Sequence, residues 1–128
     1  MNKFKKHLEY IDKNPLLKKS FAFSLEIMRI SKDLRLQQKE YSLADQLLRS
    51  GTSIGANANE AVISFSRKDF ISKMNISLKE AYECRYWLLL LASSGYIADA
   101  ENILEDVDEL IRMLVKIIKT ARANEEKK

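Results

Sequence analysis

Cysteine, histidine, proline and tryptophan each occur once in this 128-residue sequence, and glycine three times. Each scarcity excludes something. A lone Cys84 cannot close an internal disulfide and fits a reducing compartment. With His7 as the only histidine, one chain can assemble neither a histidine-based triad nor a His/Cys metal cluster. No Glu-x-x-His spacing occurs, so the inward ligand set of di-metal bundles is missing too. So few glycines and prolines argue against a β-rich fold, which needs more turn residues. The longest apolar run, Tyr86 to Ala92, is far too short to span a bilayer. The N-terminal MNKFKKHLEY has lysines but no following apolar region or small-residue cleavage site. The expectation is a cytoplasmic protein with no membrane segment, no bound metal, no cofactor and no catalytic residues.

What is present is the composition of one compact helical domain, with 46% hydrophobic and 31% charged residues. The net charge of +4 permits an anionic partner without demanding one. Its distribution says more. Residues 15–40 carry six basic and three acidic side chains, residues 66–93 five and three, and residues 94–118 two and six. A nucleic acid would meet the first two of these segments and avoid the third.

Local signals divide the chain at residues 1–13, an N-terminal arm expected to fray although Phe4, Leu8 and Ile11 have helical spacing. Asn14-Pro15 opens a helix to about Gln38, with asparagine as N-cap and proline in the first turn. That helix has two apolar edges, Phe23, Ile27, Ile30 and Leu34 on one and Leu17, Phe21, Leu25 and Met28 on the other. Two edges imply two neighbours, or else one helix sunk deeply in one bundle. Ser42 with Asp45 reads as a capping-box variant opening a helix over 42–64, and Ser66 with Asp69 repeats the signal for a helix over 67–93. Ser94-Gly95 ends it, with glycine suited to a left-handed position. Asp99 then caps a helix over 99–122 whose acidic start and basic end complement the helix dipole, and 124–128 form a charged tail. Short connections force consecutive helices to lie antiparallel in an all-α fold.

The stretch RSGTSIGANANEA, Arg49 to Ala61, departs from ordinary helix. At about 100° per residue, Leu43, Leu47, Gly51, Ile54, Ala58, Ala61 and Phe65 fall on one arc. Each glycine within a helix costs ~1 kcal/mol relative to alanine, so close approach of another backbone must compensate. Arg49 and Glu60 lie on the opposite ridge, about 16 Å apart, too far to pair within the helix. Although GTSIGAN superficially suggests a phosphate loop, it lacks the glycine-lysine-serine ending and follows no strand.

The helix over 67–93 places Phe70, Met74, Leu78, Ala81, Leu88 and Ala92 on one face, with Cys84 on the margin as a small buried hydrophobe. Arg85 projects from that face and needs a partner, with Glu60, or Glu80 or Glu83 of an adjacent copy, as candidates and snorkelling to water as the alternative. Away from it lie Ile76, Tyr86, Trp87 and Leu90, a second apolar surface of the kind that a homo-oligomer interface covers.

The segment RSGTSIGANANEA, followed by SRKDFISKMNISLKEAYECRYWLLLL and then GYI, resembles the family called four helix bundle proteins, which includes proteins encoded in bacterial 23S rRNA intervening sequences. The likeness runs from about Phe21 to Leu114 and is most specific from Leu47 to Ile97. It implies an antiparallel up-down-up-down four-helix bundle, often a homopentamer. Relatives include accessory proteins of diversity-generating retroelements, basic rings thought to engage nucleic acid and a reverse transcriptase. The resemblance carries over Ser53, Asn57 and Glu60, with Glu80, Glu83 and Arg85, as architectural signature positions and not catalytic ones. Ala58-Asn59 departs from the residues common at those places.

The functional expectation is a non-enzymatic, homo-oligomeric bundle that binds RNA or DNA through Lys18, Arg29, Lys32, Arg67, Lys68 and Lys79. A protein-interaction scaffold that ignores nucleic acid is the alternative, and an enzyme comes third.

Overall fold

A computed structural model of the chain describes residues 2–126, with side-chain surroundings described for 3–125. The described residues form five helices, α1 (Asn2–Asp12), α2 (Pro15–Leu36), α3 (Tyr41–Val62), α4 (Arg67–Ser93) and α5 (Glu101–Glu126), and no strand. The N-terminal arm expected to fray is thus a helix. Its apolar face is held at one end only: Ile11 packs on the core and the Tyr10 hydroxyl donates to Asn59 Oδ1 at 3.0 Å, while Phe4 stays exposed.

Cap chemistry sets most boundaries. Asn14 Oδ1 accepts from the backbone N–H of Leu16 and Leu17, with Pro15 opening α2. Ser66 Oγ accepts from Asp69 N–H at 3.1 Å, so α4 begins at Arg67 as its sequence signal predicts. Gly95, at φ +84°, takes the left-handed position after α4, and Tyr96 N–H returns to the Leu91 carbonyl. Two caps differ from the expectation. Lys39 takes the left-handed conformation and Glu40 is extended, so Glu40, not Ser42, caps α3 by accepting from Leu43 N–H. Leu104 N–H reaches the Ala100 carbonyl, so α5 starts beyond Asp99. Its C-terminal turns run on to Glu126, taking in most of the expected tail; Lys127 and Lys128 lie outside the described residues.

Consecutive helices from α2 onward pack antiparallel, as the order of their cross-links requires. Arg35 meets Asp45 while Ser20 lies against Gly55; Arg49 meets Glu80 while Glu60 meets Lys73; Arg85 meets Asp108 while Arg67 nears Glu125. α2 closes onto α5 through Lys19, whose ammonium sits 3.0 Å from Glu109 and 3.5 Å from Asp106. No Cα atom of α2 comes within 8 Å of one on α4.

The enclosed core joins Phe23, Ile27 and Leu34 of α2, Leu47 and Ile54 of α3, Met74 and Leu88 of α4, and Val107, Leu110 and Leu114 of α5. The glycine-containing stretch is helical because α2 and α4 press on it. A Cβ placed on Gly51 would lie 2.7 Å from Ile27 Cγ2, and one on Gly55 3.2 Å from Ser20 Oγ. Across the α3–α4 seam the buried Ser77 hydroxyl donates to the Ile54 carbonyl at 2.7 Å. Cys84 lies at the centre of the buried face and not on its margin; Phe70, Leu78 and Ala92 are only half-buried. Phe65, placed on the buried arc by its spacing, falls beyond the end of α3 and is fully exposed.

Candidate functional site

The signature positions fall into three places. The first is an ion cluster on the α3–α4 seam. Arg49 Nη1 donates to Glu80 Oε2 at 3.0 Å, and Nη2 donates to Glu83 Oε2. The same Glu83 oxygen accepts from the Trp87 indole N–H at 3.2 Å. Glu80 and Glu83 stand one turn apart on α4, so one guanidinium answers two carboxylates that would otherwise repel. Glu80 is the more enclosed, its side chain 15% exposed against 50% for Arg49.

Ser53 and Asn57 belong to the backbone. Ser53 Oγ donates to the Arg49 carbonyl at 2.6 Å, and Asn57 Nδ2 to the Ser53 carbonyl at 2.8 Å. These back-bonds satisfy both polar side chains within α3 without favouring the helix, so its geometry depends on the packing around it. Glu60 lies further along α3 and pairs with Lys73 at 3.6 Å. Arg49 and Glu60, read from sequence as one polar ridge, are therefore committed to different partners.

The third place is Arg85, on the opposite side of α4. Its Nε donates to Asp108 Oδ1 at 2.7 Å. Within the chain this replaces the expected pairing with Glu60: Arg85 reaches across to α5, whose acidic first half supplies the carboxylate. The sequence held a signal for it in the acidic run Glu105 to Glu109, which dipole complementarity had absorbed.

Few of these groups are poised for chemistry. Burial pushes the Cys84 thiol up to about 12, despite a hydrogen bond with Ser50 that works the other way, so thiolate is scarce at neutral pH. Among the described residues, no group of three or more His, Cys, Asp or Glu side chains is placed to hold a metal ion. No described helix is long and apolar enough to cross a membrane.

The six basic positions are divided between α2, with Lys18, Arg29 and Lys32, and α4, with Arg67, Lys68 and Lys79. Arg29 and Lys32 share a shallow cleft of about 240 Å³ with Asp33, Leu36 and Gln37 on α2. Arg29 is also tied to Glu26, an interaction that holds the carboxyl below its usual range and raises the guanidinium. Arg67 and Lys68 adjoin at the start of α4, while Lys18 and Lys79 stand exposed elsewhere on α2 and α4.

Of the second apolar surface, Ile76, Tyr86 and Leu90 are exposed, and Tyr82 and Leu89 extend it. Trp87 differs: it is half-buried, packs on the core and edges the Tyr86 ring at 5.3 Å between centroids. On α2, Phe21, Leu25 and Met28 are exposed while Leu17 is enclosed.

The family profile described as 23S rRNA-intervening sequence protein matches residues 12–116. The chain belongs to that family. Among solved structures it is similar to a protein of unknown function from the S23 ribosomal protein family of Bacteroides thetaiotaomicron. That likeness is 48% in identity, covers 80% of this chain and 96% of the other, and has a TM-score of 0.78. No curated protein matches the chain. The matched span of this intervening-sequence family member runs from the end of α1 into the second half of α5, so both Arg49 with its carboxylates and the Arg85–Asp108 link lie inside it.

Proposed function

We propose that this protein is a non-enzymatic accessory protein in which α2–α5 form an up-down-up-down four-helix bundle, copies of it assemble into a closed cytoplasmic homo-oligomer, and the assembly binds RNA or DNA. The observation that carries the reading is the pair of exposed apolar stripes, Phe21, Leu25 and Met28 on α2 and Tyr82, Tyr86 and Leu90 on α4. Contiguous large side chains left in water on two separate helices favour a sister copy as their cover. The resemblance drawn from the sequence suggests five copies and a reverse transcriptase as a protein partner.

Two measurements test this. Light scattering should give a mass several times that of the chain, and Tyr86→Glu with Leu90→Glu should reduce it; an unchanged mass refutes that interface. These positions suit the test better than Trp87, whose indole is part of the Glu83 cluster. Nucleic-acid binding should fall steeply with salt and weaken on charge reversal at Lys32 and Lys68. Assembly without binding to duplex, hairpin or single strands at low salt would instead support the protein-interaction scaffold.

A further inference from the structure

Phe65 lies in the short connection between α3 and α4, with its ring entirely in water and Ile63 exposed beside it. It stands at the edge of an open cleft of about 650 Å³ between this connection and the last turns of α5. The floor is apolar, from Phe70, Ile117 and Ala121, and the walls carry Arg67, Lys116, Thr120 and Asn124. Across residues 62–70 and 116–125 there are five basic and two acidic side chains. One of the acids, Glu125, sits 3.9 Å from Arg67, a loose contact that leaves the guanidinium able to turn to another anion.

We infer that this cleft is a single-strand nucleic-acid site, in which a base stacks on Phe65 while Arg67 and Lys116 hold the adjoining phosphates. The inference rests on the nucleic-acid reading above and adds the kind of strand and the place. A duplex keeps its base faces stacked on one another and offers an exposed ring nothing to pair with. A single strand offers a base face and a phosphate within one nucleotide, which is the combination of ring and cations that this cleft presents. The positive balance favours a phosphate chain over an acid-poor protein surface, and the hydroxyl and amide of Thr120 and Asn124 add donors at the rim.

The test uses the full chain and fluorescein-labelled dT15, U15 and a 15-base-pair duplex, read by anisotropy at two salt concentrations. Phe65→Ala should weaken single-strand binding by about tenfold and leave duplex binding within twofold, while Phe65→Trp restores it. Lys116→Ala should weaken binding and flatten its salt dependence. The ratio of dT15 to U15 affinity shows whether DNA or RNA is preferred. Because Phe65 touches water, circular dichroism should be unchanged in both Phe65 variants. If Phe65→Ala binds single strands like the wild type, or loses duplex binding equally, this site is wrong while the broader reading stands. If wild-type protein binds none of the three at low salt, both fall together. A change of oligomer mass in Phe65→Ala without change of binding assigns the ring to a contact between copies and overturns the inference.

Discussion

Ile27 Cγ2 occupies the space that a side chain at position 51 would need, 2.7 Å from where the Cβ would sit. Ile27 is β-branched and fully buried, so it cannot swing aside as the tip of a longer side chain would. The glycine is retained against helix propensity because α2 comes this close.

Gly51→Ala therefore sets two effects against each other. Propensity alone would stabilise α3 by ~1 kcal/mol. Overpacking against Ile27 costs about 1–3 kcal/mol, and the clash is expected to win. Urea denaturation should show a net loss, and Ile27→Ala combined with Gly51→Ala should cost less than the sum of the two single changes. A more stable Gly51→Ala protein would mean that the two helices separate freely.

The Arg49 cluster should respond to salt. Arg49→Met leaves Glu80 and Glu83 facing each other without a cation, and the loss is expected to be roughly 0.5–1 kcal/mol because the guanidinium is half exposed. Denaturation midpoints of wild type and variant should converge as ionic strength rises. Trp87 emission should shift as well, since its indole shares the Glu83 oxygen. Equal midpoint differences at low and high salt would show that Arg49 contributes by packing and not by charge.

Lys19 gives a pH dependence at the alkaline end. Burial works most strongly to lower its pKa, but the hydrogen bond and charge of Glu109 together with those of Asp106 outweigh it, and the net shift is upward from 10.5. A raised lysine pKa contributes stability that is complete below 10.5 and is lost as pH rises through the folded value. Lys19→Met should thus destabilise the protein near neutrality, and its difference from wild type should shrink in strongly alkaline buffer. Glu26 has the opposite sign: with its carboxyl lowered by the Arg29 hydrogen bond, its contribution is present above the usual 4.5 and is lost as pH falls through the folded value. Thermal melts across pH for Lys19→Met and for Glu26→Gln check the two signs.

Cys84 should be silent toward thiol reagents in the folded protein. It is fully enclosed and its thiol is pushed up to about 12. Labelling by a disulfide reagent should proceed only as fast as the fold opens, and should accelerate in denaturant in step with unfolding. Rapid labelling in native buffer would place the residue at the surface.

The sequence by itself determined the helical class, the start of α2 at Asn14-Pro15, the span of α4 between Ser66 and Gly95, and the need for a close neighbour at Gly51 and Gly55. These are local matters, written in cap chemistry, in a 3.6-residue period and in the missing side chains of two glycines. Tertiary structure alone decided that Arg49 reaches Glu80 and Glu83, that Arg85 reaches Asp108, that Cys84 is central, and that Phe65 stands in water one turn beyond the arc its spacing continued. It also gave α1 its hold, through Ile11 and Tyr10, where too few turns had argued for fraying. Periodicity fixes which way a residue faces around its own helix, but ion pairs depend on the offset and rotation between two helices. Those are set by how the whole core packs, and no single segment contains them.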